Sequence, residues 1–167
     1  MTKHVFDIEE TMRFIRKQSK ETSVYIGSDS ERFRKNGLWY ASYSVAIVVH
    51  IDSCHGCKVF GEMTVERDFD QIKNKPSMRL LHETQLVADM FTRLKDCLED
   101  KHVEVHIDIN ADPKHGSSCV VSEAMGYLKG VVGDSAMVFC KPFAPAASFA
   151  SDSLSKILSN ENVYAVA

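Results

Sequence analysis

The stretch Val24-Tyr25-Ile26-Gly27-Ser28-Asp29-Ser30 decides how the chain is read. Val, Tyr and Ile favour strands, and an apolar run this short suits a sheet better than a helix. It ends on Asp29, a residue type depleted in strands and rarely buried without a partner. Ser-Asp-Ser is also ordinary turn composition, so Asp29 alone settles nothing. The question is which other acids converge on it.

Around this stretch the elements follow a clear order. Residues 7–20 predict an amphipathic helix, with Asp7 as N-cap, Glu10 three residues on, and Ile8, Met12 and Ile15 at helical spacing. After the 24–32 strand, Asn36-Gly37 is the strongest short hairpin signal. Residues 38–51 then predict a long strand with Trp39, Ala41, Tyr43, Val45, Ile47 and Val49 on one face. Residues 57–67 return as a third strand, which makes an antiparallel meander. The segment 68–76 reads as a polar loop. Residues 77–100 carry the clearest helical pattern, with Leu80, Thr84, Val87, Phe91, Leu94 and Leu98 on one stripe. An alternating strand over 103–110 follows, then a helix capped by Ser117 or Ser118 and running to about 130. A strand over 136–140 ends at Lys141-Pro142, and a last helix spans about 146–158, with a loose tail beyond it. A meander followed by helix and strand units implies an α/β fold, one mixed five-stranded sheet flanked by helices.

The chain has 167 residues, which suits one domain over 1–167 with its core at about 24–158. It is 44% hydrophobic and 26% charged, the balance of an ordinary globular protein. No apolar run reaches membrane-spanning length, and the first residues lack a signal-peptide core. Five scattered cysteines argue against a disulfide framework and for a reducing cytoplasm. A protein that grips nucleic acid through its overall charge is usually basic, so a formal net charge of -3 argues against stable nucleic-acid packaging but not against a metal nuclease. A local basic rim drawn from Arg32, Arg34, Lys35, Lys73, Lys75 and Lys114 would be needed instead, or a metal that offsets clustered carboxylates.

Glu83 points to such a cluster. At roughly 100° per residue it lies only about 40° from the centre of the apolar stripe. A carboxylate there needs a compensating group, either a cation or an ion pair to Arg79. Asp108 sits near the carboxyl end of its strand, on the polar side with Glu104, His106 and Asn110. Ligands of α/β sheets gather beyond the carboxyl ends of parallel strands. Chain direction then places Asp29, Asp108 and Glu83 at one edge and returns Asp152 there from the last helix, where it could equally be a solvated helix residue. Four crowded carboxylates repel one another unless a divalent cation intervenes, and hard oxygen donors suit Mg²⁺ or Mn²⁺. Metal-dependent phosphodiester hydrolysis is the chemistry such a site performs.

At this point the chain resembles the ribonuclease H-like superfamily, whose nucleases carry Asp on the first strand, Glu on the first core helix, Asp at the end of the fourth strand and an acid in the last helix. Asp29, Glu83, Asp108 and Asp152 match those places. The segments Tyr25-Ile26-Gly27-Ser28-Asp29-Ser30, Glu104-Val105-His106-Ile107-Asp108-Ile109-Asn110 and Lys141-Pro142 with Ala147-Ser148-Phe149-Ala150-Ser151-Asp152 are similar to the YkuK-type ribonuclease H-like family of bacteria and phages. The resemblance spans about residues 24–158 and leaves the N-terminal helix outside the superfamily core. It implies a metal-dependent nuclease acting on RNA, RNA–DNA hybrid or structured DNA. Lys141, leaving its strand beside Asp152, could contact a substrate phosphate or simply be a solvated lysine before a turn, and Ser30 and Asn110 are further candidate substrate contacts. The same fold also serves as a silent platform that binds nucleic acid or a protein. Asp29-Ser30-Glu31 has the spacing of the proofreading-type exonucleases, but Ser148 and Phe149 stand where those enzymes carry a His or Tyr. That favours the ribonuclease H or resolvase-like branch.

Other chemistry is less developed. Cys54-His55-Gly56-Cys57, with His50 upstream, could form part of a zinc site, although a second pair is missing; an exposed turn is the plainer reading. His106 and His115 could move protons near the acids.

Overall fold

The computed structural model describes residues 6–70, 76–144, 152 and 154. Lys73, Lys75, Ser148, Phe149, the tail and most of the expected last helix lie outside the described residues; Asp152 and Leu154 are helical.

The first helix, α1 (Ile8–Arg16), starts where the sequence places it, because the Asp7 carboxylate accepts the N–H groups of Glu9 and Glu10. It stops earlier than expected. The Gln18 side chain donates to the Phe14 carbonyl, and the Ser19 hydroxyl accepts the Glu21 N–H, so local side-chain bonds replace the next helical turn.

Three strands follow: β1 (Ser23–Lys35), β2 (Leu38–His50) and β3 (Cys57–Arg67). Asn36 and Gly37, at φ 51° and 80°, turn β1 into β2 in the left-handed conformations that this dipeptide tolerates. The helix α2 (Ser77–Leu98) then leads to β4 (His102–Asn110), α3 (Val121–Val132) and β5 (Met137–Lys141). The order across the sheet is β3-β2-β1-β4-β5. β1 runs antiparallel to β2 and parallel to β4, and β4 runs parallel to β5.

The start of α3 differs from expectation. The Ser117 hydroxyl accepts the Asn110 N–H at the end of β4, so a short 3-10 turn over Gly116–Val120 precedes the helix.

One face of the sheet packs against α2. Ile26 and Ile47 of the sheet and Val87, Phe91 and Leu94 of α2 are buried together. On β3 the residue that joins this core is Phe60, whose ring meets Phe14 of α1 at 5.4 Å, whereas Val59 remains exposed. The opposite face carries a row of small residues in register, Gly61, Ala46 and Gly27, ending on His106. Leu154 lies against Gly61, where a Cβ would overlap its side chain and the Val45 backbone oxygen. The small residues thus admit the segment that carries Asp152. Gly61→Ala is expected to cost about 1–3 kcal/mol, the usual range for overpacking. Urea unfolding measures it, and an unchanged midpoint would refute the close fit.

Candidate functional site: an acidic cluster where two parallel strands part

The parallel ladder between β1 and β4 runs from Ser23↔His102 to Gly27↔His106 and stops. Asp29 and Asp108 each stand two residues beyond that last pair, about 7 Å further along their strands. Strand alternation gives them the same face as Gly27 and His106. β4 is also released from its other neighbour here, because its pairing with β5 shifts register between Ile107 and Asn110. Such irregularities re-aim a side chain. This one leaves Asp108 against Lys141, whose ammonium pairs with Asp108 Oδ1.

Glu83 approaches from the helix side. The first turn of α2 is held by Asp70, whose carboxylate accepts the Met78 and Arg79 N–H groups at 2.9 and 3.0 Å. Asp70 lies well before the helix, so no capping pattern in the sequence reveals it. The stripe of Leu80, Thr84, Val87, Phe91 and Leu94 is buried as expected, and Glu83 is buried with it at 3% exposure. Its carbonyl accepts the Ser28 hydroxyl at 3.2 Å. Its carboxylate accepts the Ser30 hydroxyl, which in turn receives a 2.7 Å bond from Arg79 Nη1. Arg79 also donates to the Ser30 carbonyl at 3.0 Å. Arg79 therefore reaches Glu83 through the Ser30 hydroxyl rather than through the direct ion pair that the sequence offers.

The charge balance shows what this arrangement lacks. Burial pushes Glu83 up to about 8; the Ser30 hydroxyl opposes the shift, and the nearby Asp29 and Asp108 charges add to it. Burial likewise raises Asp29 to about 6, reinforced by Asp108 and Asp152 and opposed by the Ser30 N–H and Lys141. The four acids named from sequence thus share one electrostatic neighbourhood, with Asp152 half-buried on its helix. Among the described residues, no group of three or more His, Cys, Asp and Glu side chains is placed to hold a metal ion. Ser30, Arg79 and Lys141 compensate the carboxylates instead. The donors are all oxygens and carry more negative charge than these groups neutralise, which fits a hard divalent cation.

The remaining candidates take other places. Asn110 closes a turn, its side-chain oxygen accepting the Asp112 N–H at 2.9 Å. His106 is buried, with Nε2 2.9 Å from Glu104 and its ring beside Tyr25 and Phe139. His115 is exposed. Cys54 and Cys57 are free and exposed, with Cys54 3.7 Å from a His55 ring nitrogen that also meets Asp52. Arg32 pairs with buried Asp68 at 2.5 Å, so this member of the expected rim is already committed.

A three-strand meander continued by two parallel strands, with acids where the parallel ladder opens, defines the ribonuclease H-like fold. The family model described as ribonuclease H-like matches residues 7–156, and the chain belongs to that family. The match includes α1. No curated protein and no solved structure matches the chain significantly.

Both raised acids bind protons more tightly in the folded chain than in the unfolded one. Stability is therefore full below about pH 4 on this account and falls as pH rises toward 8. In the metal-free protein the melting temperature should drop by several degrees between pH 5 and pH 8, and Glu83→Gln should flatten that drop. Thermal unfolding across this range checks it; a wild-type slope no steeper than the variant's contradicts the assignment.

Proposed function

We propose that this chain, as a single ribonuclease H-like domain, is a divalent-metal-dependent nuclease that hydrolyses phosphodiester bonds in RNA, RNA–DNA hybrid or structured DNA. The observation that carries the reading is the buried Glu83 carboxylate, held in the field of Asp29 and Asp108 where β1 and β4 part. Asp29, Glu83, Asp108 and Asp152 would hold Mg²⁺ or Mn²⁺. When bound, such a cation activates water and stabilises the leaving oxygen of a phosphodiester.

The chain's own residues prepare that site. Ser30 and Arg79 orient the Glu83 carboxylate, so its rotamer is set before substrate arrives. Lys141 neutralises Asp108 and lies where a substrate phosphate oxygen can compete for its ammonium. Among the positions named from sequence, Ser30 is assigned to positioning Glu83 and Asn110 to shaping the loop after β4.

A second reading has one observation in its favour. Asp108 already has a cation in Lys141 and Glu83 a donor in Ser30, an arrangement that a silent module binding nucleic acid or a protein could also keep. Cleavage of labelled RNA, hybrid and branched DNA with Mg²⁺ or Mn²⁺ separates the two. Asp29→Asn and Glu83→Gln should each reduce the divalent-dependent rate by roughly a hundredfold or more, since each removes a carboxylate worth several kcal/mol of charge stabilisation. Cleavage retained by both variants sinks the nuclease reading. Salt-sensitive binding without turnover would establish the silent module.

A further inference from the structure

Beyond Asp29, β1 and β2 continue as a hairpin that outruns the parallel part of the sheet. On the face that carries Asp29, the hairpin presents Phe33 and Tyr40, Cα partners whose rings stack at 5.9 Å with an interplanar angle of 20°. Both stay partly exposed. Arg67 of β3, opposite Tyr40, lays its guanidinium 5.7 Å from the Tyr40 ring and 5.4 Å from that of Phe69, which is 58% exposed. Three acids of this corner are engaged, Asp68 with Arg32, Glu66 with His82, and Asp70 with the first turn of α2, while Glu31 stays exposed on the same face between Asp29 and Phe33. The exposed charge of Arg67 therefore stands beside the Tyr40 and Phe69 rings on this face, and that of Arg34 beside Trp39 on the other, in a chain whose overall charge is negative.

We propose that Phe33, Tyr40 and Arg67 form a stacking platform for an unpaired nucleic-acid strand entering the acidic cluster. Phe33 and Tyr40 are each four residues from the Asp29↔Ser44 pair, about 13 Å along the strands. That is within the span of a few nucleotides, the scale on which single strands track along such surfaces. Rings and guanidinium planes accept the face of any unstacked base, while duplex bases are already stacked and offer only backbone to the arginines. The platform thus narrows the substrate to a strand that is single-stranded on the hairpin side of the cut. This inference rests on the proposed nuclease reading for its choice of face, but binding and cleavage can be measured apart.

The test is fluorescence anisotropy with the full chain in EDTA, using fluorescein-labelled 12-nucleotide RNA and DNA strands and the corresponding blunt duplexes. Single strands should bind about tenfold or more tightly than blunt duplexes. Tyr40→Ala and Arg67→Ala should each remove about tenfold of the single-strand affinity, and Tyr40→Phe, which keeps the ring, should restore it. Circular dichroism confirms that the variants are folded; if Tyr40→Ala is not, Phe33→Leu takes its place. Equal affinity for single strands and blunt duplexes overturns the platform, as does Tyr40→Ala (or Phe33→Leu in its place) binding like wild type. Self-association abolished by Tyr40→Ala would make the face a contact between copies and overturn it too. Because no divalent cation is present, loss of the nuclease reading through the Asp29→Asn assay leaves this result standing or falling by itself.

Discussion

Burying the carboxylate of Glu83 is the constraint to which the surrounding structure answers. An ionised carboxylate moved out of water costs several kcal/mol unless other charges or hydrogen bonds replace its hydration. At 3% exposure Glu83 has lost nearly all of its water, and what replaces it is one hydroxyl, with a guanidinium behind that hydroxyl. Ser30 must therefore sit on β1 with its side chain toward α2, which places Asp29 on the other face. The first turn of α2 must be stationary enough to aim Glu83 at Ser30, and the Asp70 carboxylate supplies that restraint. Asp29 and Glu83 thus reach one site from opposite faces of the sheet.

That geometry is possible only because the sheet opens. If the β1–β4 ladder continued past Gly27 and His106, backbone hydrogen bonds would fill the space between Asp29 and Asp108. The missing pairs, and the register shift that frees Asp108 from β5, leave a place where acids on two strands and one helix influence each other. Lys141 is carried into the same gap by that shift.

Much of this was legible in the sequence where local chemistry decides the outcome. Asp7 caps α1, Asn36-Gly37 turns the hairpin, and the stripe of α2 is buried as its spacing requires, with Glu83 inside it. Glu83 stands out because a carboxylate on an apolar stripe conflicts with its surroundings, a conflict that pattern alone exposes. What could not be read depends on distant partners. Ser117 looks like a helix cap until the end of β4 claims its hydroxyl. Asp70 looks like loop composition until the helix that needs it is packed beside it. The alternation of β3 does not say which face is inner; packing of Phe60 on Phe14 decides that. Nor does any pattern announce that the parallel ladder ends at Gly27.

The state of the charges also bears on how the cluster and the hairpin fit one function. A domain that only bound a partner through Phe33, Tyr40 and Arg67 would gain nothing from Glu83, whose replacement by a neutral isostere would remove a burial cost without touching the hairpin. Conversely, an acidic cluster in a chain of net charge -3 repels the phosphates it would act upon. Under the proposed function, each half would supply what the other lacks. On the proposed reading, the acids would give a bound strand a place to react once a cation offsets them, and the rings and guanidinium would hold a polyanion near carboxylates that otherwise turn it away. Attraction through base stacking suits this task better than a larger basic patch, because positive charge spread along β1 would pair with Asp29 and compete with the metal for it.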